Sequence, residues 1–124
     1  MRVSSVLCLG VLLALTGCVT TAPAKYSWGN YENSLYSYYK DSTKSGDYEA
    51  ELVSVISDSE ATAKPVAPGL YAEYGFLLLQ EGKSKDAITQ FEKEKAKWPE
   101  STYLMNNLIR IASNPVKKTT ASKE

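Results

Sequence analysis

The sequence predicts an all-α fold, in which a short stack of about five antiparallel helices follows a leader and a tether. From Trp28 onward, apolar residues recur at helical spacing, and no stretch shows the sustained alternation of a half-buried strand. Glycine or proline interrupts this pattern at intervals of about one helix, as in helical hairpins. The chain has 124 residues, which is enough for one small domain after a leader.

Local signals give the order and bounds of the five helices. Asn30, Asp47 and Ser84 are typical N-caps, and the chain is expected to break at Lys44-Ser45-Gly46, at Gly82 and before its prolines. The predicted helices are Asn30 to about Thr43, Asp47 to about Lys64, Gly69 to Glu81, Ser84 to Trp98 and Ser101 to Ser113. Residues 28–113 form the domain, and residues 114–124 are predicted to be a disordered tail because they have little to bury.

Residues 1–17 have the pattern of a secretory signal peptide. A basic start precedes an apolar run from Val3 to Leu15, which is too short to span a bilayer. The run ends in Leu15-Thr16-Gly17-Cys18, which resembles the lipobox of bacterial lipoproteins. The resemblance implies cleavage before Cys18 and transfer of a diacylglyceryl unit to its thiol. Residues 18–27 then form a lipidated tether.

The residue after the cysteine bears on the destination of the protein. An aspartate directly after the cysteine resembles the inner-membrane retention signal of enteric bacteria. This chain has Val19 at that position. The resemblance implies a lipid-anchored protein of the cell envelope, at the periplasmic face of the outer membrane.

Residues 68–101 resemble one tetratricopeptide repeat. The matching residues are Tyr71, Tyr74, Gly75, Leu78, Ala87, Phe91 and Pro99. Gly75 and Ala87 are small enough for two antiparallel helices to cross closely, and Phe91 is large enough to fill the space beside them. Glu94 departs from the pattern because that position is usually small, and it predicts a looser contact with the next helix.

Residues 32–65 are interpreted as a degenerate earlier repeat, in which Tyr38 corresponds to Tyr74 and Gly46 to Gly82. Tyr39 and Glu51 replace two small residues of the pattern, so this hairpin must pack differently or more openly. The fifth helix is expected to close the stack through a single apolar face, formed by Leu104, Leu108, Ile111 and Ala112.

Resemblance to tetratricopeptide repeats implies a concave surface on the first helix of each hairpin. The candidate partner-binding residues are Asn33, Tyr36, Lys40, Ala72, Phe76 and Leu79. The run Phe76-Leu77-Leu78-Leu79 covers more than half the circumference of a helix, so its side chains cannot all face one neighbour. Two alternatives stay open: the exposed residues bind a peptide or a partner lipoprotein, or the last helix or a dimer covers them.

Six aromatic residues lie between Tyr26 and Tyr39. Stacked aromatic rings hold sugars, so Trp28 and Tyr31 are candidate glycan contacts, and a peptidoglycan-binding accessory lipoprotein is the alternative function. The competing interpretation is that these rings fill helix contacts. In that case Trp28-Gly29-Asn30-Tyr31 docks the tether onto the first helix and caps it.

The aromatic opening, with two later motifs, resembles a family of small bacterial lipoproteins known as DUF4810. The segments that carry the resemblance are Lys25-Tyr26-Ser27-Trp28-Gly29-Asn30-Tyr31-Glu32, Leu35-Tyr36, Tyr38-Tyr39-Lys40, Gly82-Lys83 and Trp98-Pro99-Glu100-Ser101. The family has no established activity. Its genes commonly lie beside that of a CsgG-like lipoprotein, which implies a non-catalytic scaffold role in an envelope complex with such a partner.

Composition argues against most other classes of function. Histidine is absent, which removes the commonest general base and metal ligand. The formal net charge is 0, so no overall field attracts a nucleic acid. Neighbouring carboxylates such as Asp58 and Glu60 lie two residues apart and point to different helix faces. We therefore expect no enzyme activity, cofactor, metal or nucleic acid.

Overall fold

The computed structural model describes residues 23–114, which form an antiparallel stack of five α-helices without a strand. The helices are α1 (Tyr31–Lys40), α2 (Ser45–Ala61), α3 (Leu70–Gln80), α4 (Ser84–Lys97) and α5 (Thr102–Ser113). Short 3₁₀ turns at Ser42–Lys44 and Pro99–Ser101 precede α2 and α5. The predicted all-α stack is confirmed. The signal peptide, Cys18 and residues 115–124 of the predicted tail lie outside the described residues.

None of the helices in this part of the chain is long and apolar enough to cross a membrane.

The most extensive helix contact joins α3 to α4, and it depends on Gly75. A Cβ atom at Gly75 would lie 2.7 Å from the ring of Phe91 and 3.1 Å from the carbonyl oxygen of Ala87. Phe91 and Ala87 are both completely buried. The predicted close crossing of these helices at two small residues is therefore confirmed, and α2 and α5 pack against the resulting pair.

The buried side chains form two clusters that meet α3 from different directions. Leu77 belongs to a cluster with residues of α2, and Leu78 belongs to a cluster with residues of α4 and α5. Leu79 is partly buried against the second cluster, whereas Phe76 is exposed. The prediction that this run cannot face a single neighbour is confirmed.

Glu94 joins α4 to the start of α3, whereas the predicted loosening concerns the contact with the next helix, α5. Its side chain is buried, and its Oε1 accepts a 2.8 Å hydrogen bond from the backbone N–H of Gly69. The first N–H groups of a helix have no partner within the helix, and a carboxylate at that end also complements the helix dipole. Burial raises the pKa of Glu94, although hydrogen bonds from the start of α3 act against this rise.

The first hairpin breaks at Asp41 rather than at Lys44-Ser45-Gly46. Asp41 is extended, and its carboxylate accepts hydrogen bonds from the backbone N–H and the hydroxyl of Thr43 at 3.0 and 2.7 Å. Such local bonds compete with the helix, so α1 ends at Lys40, before the predicted Thr43. Gly46 consequently lies within α2, and Asp47 lies in its first turn instead of capping it.

Tyrosine rings hold α1 against α2. No residue of α1 is fully buried, but the ring of Tyr38 stacks on that of Tyr48 with 5.3 Å between centroids. Tyr39 is 84% exposed and does not lie at the helix crossing. This hairpin packs differently from α3 and α4, as the substitutions in its sequence predict.

Helix α5 packs through only part of the predicted face. Ala112 is buried and Leu108 is partly buried, as predicted, whereas Leu104 and Ile111 are exposed. Met105 is buried and Ile109 is partly buried in their place. The helix carries two neighbouring apolar stripes, and Met105-Ile109-Ala112 is the stripe that fills the core.

The replacement Gly75→Ala should lower the free energy of unfolding by about 1–3 kcal/mol, because its Cβ atom overlaps the Phe91 ring and a backbone carbonyl. Urea unfolding followed by circular dichroism measures this change. The matched control is Gly46→Ala in α2, where no atom lies within 4 Å of the added Cβ. It should raise stability by about 0.4–1 kcal/mol. Equal effects of the two replacements would contradict the proposed crossing.

Candidate functional site

An apolar groove lies between α1, α3 and α5. It encloses about 380 Å³ and is lined by Leu35, Tyr38, Tyr48, Ala72, Glu73, Phe76, Leu77 and Leu108. Its walls therefore come from helices that are distant in the sequence and are brought together by the stack. Phe76 is 47% exposed, so a large ring is available to a partner at this surface.

Helix α5 extends the apolar surface beyond the groove. Leu104, Leu108 and Ile111 follow one another at helical spacing on one face. Leu108 lines the groove, whereas Leu104 and Ile111 are exposed on either side of it along the helix. Exposed apolar residues gathered on one surface, in contrast to scattered ones, are typical of an interaction site.

Only part of the predicted partner-binding set lies in this groove. Ala72 and Phe76 line it, whereas Leu79 packs against the buried cluster between α4 and α5. On α1, the three candidates Asn33, Tyr36 and Lys40 lie elsewhere.

The α1 candidates lie away from the groove because of the way this helix is anchored. Asn33 borders a separate polar cleft between α1 and α2, and the ammonium of the exposed Lys40 lies 5.4 Å from the centre of the Tyr36 ring. The inward stripe of α1 is instead Tyr31-Leu35-Tyr38, because both tyrosines contact Tyr48. The three residues are four and three positions apart, which is the spacing of one helix face, so the sequence contained this signal. Aligning α1 with α3 as a repeat placed a different face of α1 in the binding surface.

A single carboxylate beside the groove joins three helices. The hydroxyl of Tyr31 in α1 donates to Glu73 in α3, 2.8 Å from the nearer oxygen, and the hydroxyl of Tyr48 in α2 donates to the same carboxylate. Burial, followed by these hydrogen bonds, raises the pKa of both tyrosines above its ordinary value of 10.0. Both oxygens of Glu73 are thus engaged within the fold.

The segment before α1 contacts α1, as predicted, with the ring of Trp28 5.5 Å from that of Tyr31, and it also docks onto α2. The backbone N–H of Asn30 donates to Oε1 of Glu51 at 2.6 Å. Gly29 has a φ of +48°, and a Cβ atom there would lie 2.6 Å from the same Glu51 oxygen and 3.1 Å from Val55. Glycine is required because both its conformation and this close approach exclude a side chain.

The aromatic residues before α1 pack against each other and against the helical stack. The ring of Tyr26 meets those of Trp28 and Trp98 edge-on, with centroids 6.1 and 6.3 Å apart. Trp28 is 45% exposed and borders a cleft of about 410 Å³ with Gly29, Tyr31 and Glu32. Since the Tyr31 hydroxyl is bound to Glu73, this arrangement favours packing over sugar recognition for that residue.

Within residues 23–114, no three cysteine or carboxylate side chains lie close enough together to hold a metal ion.

A family model described as a domain of unknown function, DUF4810, matches residues 25–108. No curated protein and no solved structure is similar enough to this chain to give a match. The matched range starts in the docked segment and reaches Leu108 in the groove, so it covers the elements described above. The chain therefore belongs to the DUF4810 family, as its aromatic opening predicted.

Proposed function

We propose that this protein is an outer-membrane lipoprotein whose helical stack binds a partner protein within an envelope complex, without catalysing a reaction. The apolar groove between α1, α3 and α5 carries the proposal, because apolar side chains of three helices line it and two of them, Leu35 and Phe76, are exposed. The lipobox-like sequence at Cys18 supports the location. The CsgG-like partner follows from the family resemblance.

The groove has the features of a surface that accepts a helix or a peptide. Phe76 is a large aromatic anchor beside the small Ala72, which leaves room for a side chain of the partner. Burying apolar surface contributes roughly 25 cal/mol per Å², and a few such anchors dominate the affinity of an interface. The neighbouring Leu104 and Ile111 would lengthen the contact along α5.

A lipid anchor would strengthen such an interaction. Cys18 lies seven residues before Lys25, where the family match begins, so anchoring would confine the groove near the membrane. Confinement raises the effective concentration of two proteins on the same membrane without any new contact. A modest apolar groove would then be sufficient for a stable complex.

The first prediction from this proposal concerns Phe76. A photo-crosslinking residue in place of the exposed Leu104 should form a discrete adduct with an envelope protein in intact cells. Introducing Phe76→Glu into the same protein should abolish the adduct, because the bound partner would bury the glutamate charge against apolar surface. Gel analysis followed by mass spectrometry detects the adduct and identifies the partner.

The matched control is Val53→Glu in α2, since Val53 is 39% exposed and does not line the groove. It should leave the adduct intact. Both replacements are at exposed positions, so each should change the free energy of unfolding by no more than about 0.5 kcal/mol. An adduct that persists with Phe76→Glu, or recovery of lipid and abundant porins alone, would contradict the proposal.

The second prediction concerns the anchor. Cys18→Ser replaces a thiol by a hydroxyl, which is a far poorer nucleophile, so lipid transfer and lipoprotein-type cleavage should both stop. Membrane fractionation and mass spectrometry should find the wild type as a lipid-bearing chain that begins at Cys18. The variant should accumulate as an uncleaved precursor. A wild-type chain that lacks lipid, or begins after Cys18, would refute the anchor.

A further inference from the structure

The N-terminal segment reaches one particular end of the stack, where α2 and α4 end and α3 begins. Tyr26 packs against Trp98, which directly follows α4, and Gly29 approaches Val55 in the second half of α2. We call this the docked end, and it includes Tyr26, Trp28, Trp98 and the nearby lysines Lys25, Lys64 and Lys97. The opposite end carries the last residues of α1 and the first residues of α4.

Docking limits how far this end can lie from a lipid on Cys18. Eight residue steps separate Cys18 from Tyr26, and they span at most about 28 Å when fully extended. That is about the length of α2, whose 17 residues rise by about 26 Å. The tether therefore keeps the docked end within reach of the bilayer.

The side chains at the docked end suit a layer of phospholipid headgroups. Tryptophan and tyrosine favour the membrane interface because each combines an apolar ring with a polar group. Trp28 is 45% exposed. These rings are therefore at the part of the domain that the tether keeps within reach of lipid.

Lysines lie at this end beside two of the aromatic residues: the ammonium of Lys25 is 5.1 Å from the centre of the Tyr26 ring, and Lys97 directly precedes Trp98. Lys64, Lys93 and Lys97 line a single cleft of about 580 Å³. Glu60 lies in the same cleft and is 3.4 Å from the ammonium of Lys93. Among the described residues no carboxylate lies within ion-pair distance of Lys64, Lys97 or Lys25, so three cations are available to lipid phosphates.

We propose that the docked end rests on the anionic headgroups of the bilayer that holds the anchor. This inference rests on the proposed lipidation of Cys18. It also leaves the groove accessible, because Leu35, Phe76 and Leu108 lie near the middle of α1, α3 and α5. The groove therefore stays open to a partner protein while the docked end contacts lipid.

Tryptophan fluorescence tests this orientation directly, because Trp28 and Trp98 are the only tryptophans and both lie at the docked end. Residues 18–124, which include every described residue, are coupled through Cys18 to a maleimide lipid. The vesicles contain phosphatidylethanolamine, phosphatidylglycerol and a lipid with a nitroxide on its headgroup. Chemical coupling supplies the anchor, so the result does not depend on lipidation in the cell, which mass spectrometry tests separately.

The expected result is a loss of tryptophan fluorescence in the anchored wild type. The control is Trp28→Phe/Trp98→Phe/Tyr39→Trp, which moves the probe to an exposed position near the end of α1 at the opposite end. It should keep most of its fluorescence, with circular dichroism confirming the fold. Equal or stronger quenching in this variant would overturn the proposed orientation.

Charge reversal provides a second test that leaves both tryptophans in place. Lys25→Glu/Lys64→Glu/Lys97→Glu should reduce the quenching, because the docked end would then be repelled by phosphatidylglycerol. Lys40→Glu/Lys85→Glu reverses two exposed lysines at the opposite end and should leave the quenching unchanged. Identical quenching in the wild type and in the docked-end variant would refute contact through anionic headgroups.

Discussion

The carboxylate of Glu73 is the interaction on which the groove depends. It accepts hydrogen bonds from Tyr31 in α1 and from Tyr48 in α2, so three helices meet at one group. This matters most for α1, which buries none of its own residues completely. Since Leu35 and Tyr38 of α1 form one wall of the groove, positioning α1 also positions the binding surface.

Much of the fold could be predicted because its determinants are local. Helical periodicity and breaks at glycine and proline gave five helices, and two small residues opposite a phenylalanine gave the crossing of α3 and α4. Two features that were not predicted arose where a side chain bonds to the backbone. Asp41 ends α1 by binding Thr43, and Glu94 reaches across to the start of α3. Neither hydrogen bond can be predicted from helical periodicity, because each depends on the direction in which a carboxylate points.

The candidate site was harder to predict than the fold. Of the α3 residues predicted from the repeat pattern, Ala72 and Phe76 lie in the groove. Transferring that pattern to α1 failed, since tyrosine contacts with Tyr48 fix which face of α1 points inward. Helix α5 presented two neighbouring apolar stripes, and only the three-dimensional packing decides which stripe fills the core and which extends the groove.

Amide hydrogen exchange in Glu73→Leu tests most directly whether this carboxylate holds the groove together. The replacement removes both acceptors, and a hydrogen bond to a charged group contributes about 1.5–3 kcal/mol. We therefore expect exchange in α1 to become about tenfold faster or more, while α3, α4 and α5 keep their protection because their buried core is unchanged. Unchanged exchange in α1 would contradict the central role of Glu73.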